Sequence, residues 1–344
     1  MNDLRLRSPL RHLLAAPLLL VSLAPTAIAQ ELEYVPEVIP PVLEDEEANL
    51  WDYGLQLGAS LAFGDNRSVV GQQDGYTIAG TLSVNGHLRL RQNAHEWNTT
   101  LSTNQGVTRT PAVERFVKNA DTLVLDSTYY YLIIPSPAVG PFARINVETP
   151  VFANADVRGE RVDYRINRLD GSVDEVDGRL VLRLTDAFNP LLLKQSAGFF
   201  ARPLQRPDAT LSFRAGFGTR QTFADNQFAV SDDDSTPEIE VKELESYMQA
   251  GSELSLQFTG ELEDQGVTYT FSAEAMTPFI DDTLGEDISP LDLTNYDIAA
   301  TLSFRLTSWA SLDYRFSARK LPRLVDDWQL INNLLLTFSY RILG

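Results

Sequence analysis

From Trp51 almost to its last residue the chain alternates apolar and polar side chains, and few folds can use so long a run of that pattern. In residues 51–63, WDYGLQLGASLAF, the side chains of Trp51, Tyr53, Leu55, Leu57, Ala59, Leu61 and Phe63 share one face of an extended strand. Asp52, Gly54, Gln56, Gly58 and Ser60 share the other. The register continues through 76–91, 97–103, 122–134, 141–152, 191–201, 209–217, 244–262, 267–279, 296–306, 310–318 and 328–342, which makes about twelve strands. Most run to about ten residues or more, longer than the usual soluble strand of about five or six. One greasy face per strand at that length predicts a transmembrane antiparallel up-and-down β-barrel over residues 50–344.

The connections carry an independent signal. They are expected to alternate, with long ones near 64–75, 104–121, 153–190, 225–243, 280–294 and 319–327, and short ones such as QNAH and EDQG between. Bacterial barrels have short periplasmic turns and long extracellular loops, so both termini are expected in the periplasm. Pro111, Pro135, Pro137, Pro190, Pro203, Pro207, Pro237, Pro290 and Pro322 fall in connections, where no ladder donor is lost. Trp51, Tyr53, Trp97, Trp309 and Tyr340 collect at one set of strand ends, and Phe63, Tyr76, Phe217, Phe279, Tyr296 and Trp328 at the other. Two such belts suit two membrane interfaces.

Residues 1–29 read as a secretory signal peptide: Arg5, Arg7 and Arg11, then the short apolar run LLAAPLLLVSLA, then Ala27-Ile28-Ala29. Residues 30–49 read as a flexible acidic segment containing proline. The net charge is −19, near −21 once the three arginines and one aspartate of the signal are removed. Such acidity argues against nucleic acid as a partner. Without cysteine, disulfides and thiolate chemistry are unavailable.

Several stretches, HEW at 95–97, FVKNADTLVLDSTYYYLI at 116–133, GPFARINVETPVF at 140–152, AGFGTRQTF at 215–223 and LLLTFSYRI at 334–342, resemble a family of bacterial outer-membrane proteins known as a domain of unknown function. The resemblance implies a barrel and brings no catalytic residues. The chain runs on to Ile342-Leu343-Gly344 rather than stopping at the terminal aromatic that the barrel-assembly machinery reads in many barrels. Phe338 and Tyr340 are then the candidates for that signal. Outer-membrane lipid, including lipopolysaccharide, is the expected surrounding.

Chemistry is sparse. Beyond the signal the only histidines are His87 and His95. His95 is placed in a turn, and His87 on a polar face with Thr100 opposite it and no carboxylate to orient it. A hydrogen-bonded lumen histidine fits better than a catalytic base, and no catalytic residue, metal or cofactor is assigned. Asp225, Asp232, Asp233, Asp234 and Glu238 crowd one loop, and Asp281, Asp282, Glu286 and Asp287 another. They lack the spacing of a defined calcium site and read as solvated acidic loops.

The polar faces of the second half are the most loaded feature. They carry Arg214, Arg220, Glu253, Glu261, Glu274, Asp297, Arg305, Asp313, Arg315 and Arg319, all expected to line the lumen. Two readings stay open. Facing charges filter small polar solutes in a channel, or they pair and close the interior of a structural or surface-interaction barrel. An outer-membrane hydrolase is a third reading. The odd-numbered connection Thr307-Ser308-Trp309 sets a register that puts Ser303 opposite Asp313, Thr301 opposite Arg315 and Asp297 opposite Arg319. The last pair is expected near the outer mouth, partly solvated, at about 0.2–1 kcal/mol.

Overall fold

A period of two leaves each strand one apolar face, and the apolar faces can all point outward only if the sheet has no edges. The computed structural model describes residues 50–66, 75–113, 115–206, 208–232, 236–262, 266–281 and 289–343. The segments expected at 1–29 and 30–49 lie outside the described residues.

Twelve long strands close the ring. In chain order they are β1 (Trp51–Asn66), β2 (Gly75–Gln92), β3 (His95–Arg109), β4 (Val117–Tyr131), β6 (Ala138–Thr149), β9 (Leu191–Arg206), β10 (Ala209–Phe223), β13 (Tyr247–Leu262), β14 (Val267–Asp281), β15 (Asn295–Arg305), β16 (Ala310–Leu321) and β17 (Val325–Leu343). Each pairs antiparallel with the next, the two-residue β5 (Ile134–Pro135) adds only a hook between β4 and β6, and β1 pairs with β17 to seal the barrel. The predicted fold class is the one observed.

Alternation sorts the faces as expected: Leu254 is 63% exposed on the outer wall, while its neighbour Glu253 is 6% exposed inside. The outer wall is apolar between two aromatic belts. Trp309 stacks on Phe338 at 5.8 Å near the short turns, and Phe63 on Tyr76 and Tyr296 on Trp328, both at 5.6 Å, near the long connections. Such a wall around a polar interior is built for a bilayer. On the inner face Gly198 stands opposite Gly216, and a Cβ on either would run into the neighbouring strand's backbone, at the Ala215 and Ala197 carbonyls. Glycine there lets the wall bend tightly.

Three expectations about the connections need correcting. The strands outrun their apolar bands, because pairing continues wherever two polar segments can still exchange backbone hydrogen bonds. The connection expected at 319–327 therefore shrinks to 322–324, and that at 104–121 to 110–116. His95 is the first residue of β3, paired with Gln92, rather than a turn residue. Finally, the connections expected at 153–190 and 225–243 are not plain loops. They fold together as a second sheet of β7 (Asn154–Asn167), β8 (Val173–Thr185), β11 (Phe228–Val230) and β12 (Ile239–Glu243). β12 lies parallel to β7, with Ile239 opposite Tyr164 and Val241 opposite Ile166. Tyr164, Ile166, Leu184 and Val241 form its small core, edged by Val162, Leu182 and Phe228.

Candidate functional site

The inner faces of β4, β6, β9, β10, β14, β15 and β16 meet in a network of charges. Alternation puts Arg144, Asn146 and Glu148 on one face of β6, and cross-strand register sets Asn146 beside Asp126 and Lys194. The same logic sets Arg220 beside Lys194, and Asp297 between Glu274 and Arg319. Arg319 gives both terminal nitrogens to Glu148, each at 2.9 Å, and its Nε to Asp297 at 2.7 Å. Asp297 also accepts from Lys194 at 2.9 Å and Arg220 at 2.8 Å. Arg144 donates to Glu274 at 2.6 Å and to Asp126 at 2.8 Å, and Asn146 reaches the same aspartate at 2.8 Å. All of these side chains are buried. Stripping water from so many charges is costly, and a dense set in which every charge has an opposite partner is the arrangement that offsets it, although one terminal nitrogen of Arg220 has no hydrogen-bond partner.

A second layer lies nearer the short turns. Arg202 holds Glu96 with two hydrogen bonds, at 2.7 and 3.2 Å, and its guanidinium lies 4.4 Å from the centre of the Tyr130 ring. Tyr130 packs edge-on against Phe200 at 4.7 Å, and Arg214 reaches the Tyr130 hydroxyl at 3.3 Å. The two layers fill the side of the interior bounded by β4 through β16.

The other side is different. On the inward faces of β1 and β2, Gln56, Asn85 and His87 are exposed, and Ser83 is half-buried. On β3 and β17, Thr100, Ser102, Asn333, Thr337 and Ser339 are half-buried. These short polar side chains leave a strip of accessible inner wall running along β17, β1, β2 and β3.

Of the ten residues expected to line the lumen, Arg214, Arg220, Glu253, Glu274, Asp297, Asp313 and Arg319 are buried inside the barrel. Arg315 is half-buried, and Glu261 pairs with the exposed Arg305 at 2.5 Å near the short turns. The expected register of the hairpin holds at all three positions. Its energetics do not: Asp297 and Arg319 are 1% and 4% exposed, so the pair is not partly solvated. The cause is the company it keeps, since Glu148 and Lys194 cover it from across the lumen. Asp126, Arg144, Glu148 and Lys194 join the network without having been among the expected lumen residues. In GPFARINVETPVF the charged positions alternate with Ala143, Ile145 and Val147, and that period was a usable signal.

His87 stands opposite Thr100 as expected, but a carboxylate is near: Asp52 Oδ1 lies 3.6 Å from His87 Nε2. Asp52 lies diagonally across the pair, two residues along β1 from Gly54, which stands opposite His87. Among the described residues no three acidic or histidine side chains gather as a metal site. Of the acidic loop residues, Asp233, Asp234, Asp282, Glu286 and Asp287 lie outside the described residues. Asp225 accepts from Ser246 at 2.8 Å, and Asp281 from Gln249 at 2.9 Å.

The small second sheet sits at the long-connection end. Lys242 of β12 donates to the Leu324 carbonyl at 3.1 Å, and Arg323 reaches Glu245 at 3.1 Å, which ties this sheet to the β16–β17 turn. At its root, Asp121 accepts from the Val151 and Phe152 amides at 2.8 and 3.0 Å. Within it Tyr164 donates to Asp156 at 2.8 Å, and burial, reinforced by that carboxylate, pushes the phenol above its ordinary value.

The chain matches no protein-family model and no curated protein. Among solved structures it is similar to an outer membrane channel from Pseudomonas putida F1, with 10% identity, 89% of this chain and 99% of that chain covered, and a TM-score of 0.38. It is also similar to the translocator domain of the autotransporter NalP from Neisseria meningitidis, with 8% identity, 87% and 90% covered, and a TM-score of 0.37. These likenesses are distant. The closed ring, its apolar outer wall and its polar interior define this chain as a transmembrane β-barrel.

Proposed function

We propose that this barrel is an outer-membrane channel for small polar solutes, and that the solute passes along the inner strip of β17, β1, β2 and β3. The observation that supports it is the asymmetry of the interior: ion pairs fill one side, while Gln56 and Asn85 on the other remain exposed inside the barrel. A fixed plug on one wall narrows a barrel without closing it, and small hydroxyl and amide groups on the other give a passing solute hydrogen bonds to exchange. The short turns and both termini face the periplasm in this reading, and the second sheet faces outward. The assembly machinery reads β17, whose Phe338 and Tyr340 point to lipid, and lipopolysaccharide surrounds the outer rim. Membership of the outer-membrane family that the strand motifs resemble belongs to the same proposal.

Reconstitution in a planar bilayer tests it. Discrete current steps are expected, and they should shrink when Asn85 or Ser83 is replaced by Trp. The cross-lumen network favours a second reading, a structural barrel with a closed interior. A silent bilayer with correctly folded protein would establish that one instead.

A further inference from the structure

Across four strands the inner wall carries the row Thr270, Thr301, Arg315 and Asn333, each directly opposite the next. All four are half-buried, and Asn333 on β17 joins the row to the accessible strip. Every other inward-facing arginine with a described side chain is held: Arg89 by Asn98, Arg91 by Glu96, Arg305 by Glu261, and the buried ones by their carboxylates or by Tyr130. The Arg315 side chain has no ion pair or hydrogen bond among the described residues, and neither have the side chains of Thr301 and Asn333. Asp313, the nearest carboxylate on the same face of β16, is buried and is held by the Ser303 hydroxyl.

We infer that Arg315, with Thr301 and Asn333 on either side, is an anion-binding station in the lumen, and that the channel favours small oxyanions, carboxylates or phosphates, over cations. This rests on the channel reading. A guanidinium supplies charge and a planar fork of donors, and the flanking amide and hydroxyl supply further donors for oxygen. The row holds a guanidinium and no carboxylate, so a cation meets like charge there and no charged ligand. Half-burial suits transit: the site is dry enough to attract an anion and wet enough to release it. In a chain of net charge −19, an inward-facing arginine with no partner among the described side chains is the feature that distinguishes the path from the surface.

Two measurements on the full folded protein test this. In bilayers under a potassium chloride gradient, the wild type should prefer chloride, and Arg315→Glu should lower the chloride-to-potassium permeability ratio by about tenfold. Arg315→Lys should keep most of the preference. Separately, inorganic phosphate should broaden in its phosphorus NMR signal with wild-type protein in detergent, and less so with Arg315→Gln. Currents whose selectivity ignores residue 315 would overturn the station and leave the channel intact. Absent currents with phosphate broadening that depends on Arg315 would leave the station and overturn the channel. Neither signal depending on Arg315 would overturn the station outright.

Discussion

Glu148 and Arg319 meet through two 2.9 Å hydrogen bonds although their strands, β6 and β16, stand on opposite sides of the ring, six places apart in either direction. A contact of that reach is a strut across the lumen. Arg319→Gln would leave Glu148 and Asp297 without the guanidinium both use, and should cost about 3–5 kcal/mol. Resistance to unfolding by heat or urea, read on gels, gives the loss. If Glu148→Gln and Arg319→Gln together cost the sum of the two singles, the strut does not couple the walls.

The two faces of one strand give the next test. Leu82→Arg, on the outer wall, should cost roughly 2–4 kcal/mol and impair assembly. Asn85→Arg, exposed on the inner strip, should assemble normally. Not every inward position is so forgiving: Gln257 is buried and Ser303 is bonded to Asp313, so arginine at either should be harmful too. Equal damage at 82 and 85 would contradict the division into lipid and lumen faces.

The second sheet should loosen in alkali. Its fold holds the Tyr164 proton more tightly than an unfolded segment would, so the stability this contributes is full below the ordinary phenol range and falls as pH rises past about 10. Cleavage by subtilisin within 154–185 should accelerate above that pH. Tyr164→Phe should flatten the pH dependence while giving up about 1 kcal/mol with the lost hydrogen bond to Asp156. An unchanged pH profile in that variant would assign the effect to another group.

Orientation can be read on intact cells. An epitope inserted at Gly171, in the β7–β8 turn, should bind antibody from outside, and one at Asp208, in the β9–β10 turn, should not. The reverse would invert the barrel.

Most of the ring was legible because each strand states its own face: the Leu306–Ala310 hairpin yields its register from the parity of three turn residues. What hid was whatever depends on partners distant in sequence. Glu148 gives no local sign that Arg319 will reach it, and so the interior could be read equally as filtering or as filled. The β7–β12 sheet hid for the same reason. Val162, Tyr164 and Ile166 alternate plainly, but their cover arrives from Val241, in a different connection.

That parallel pairing has a consequence for how the outer surface can change. Ile239 to Lys242 complete a sheet begun by Tyr164 to Asn167, so neither paired stretch can be deleted or shifted in register without stranding the other's backbone hydrogen bonds. Where barrels commonly vary one loop at a time, here two must be inherited as a unit. An antibody or phage that recognises this surface would bind a composite epitope, and a peptide copied from either segment would not compete for it.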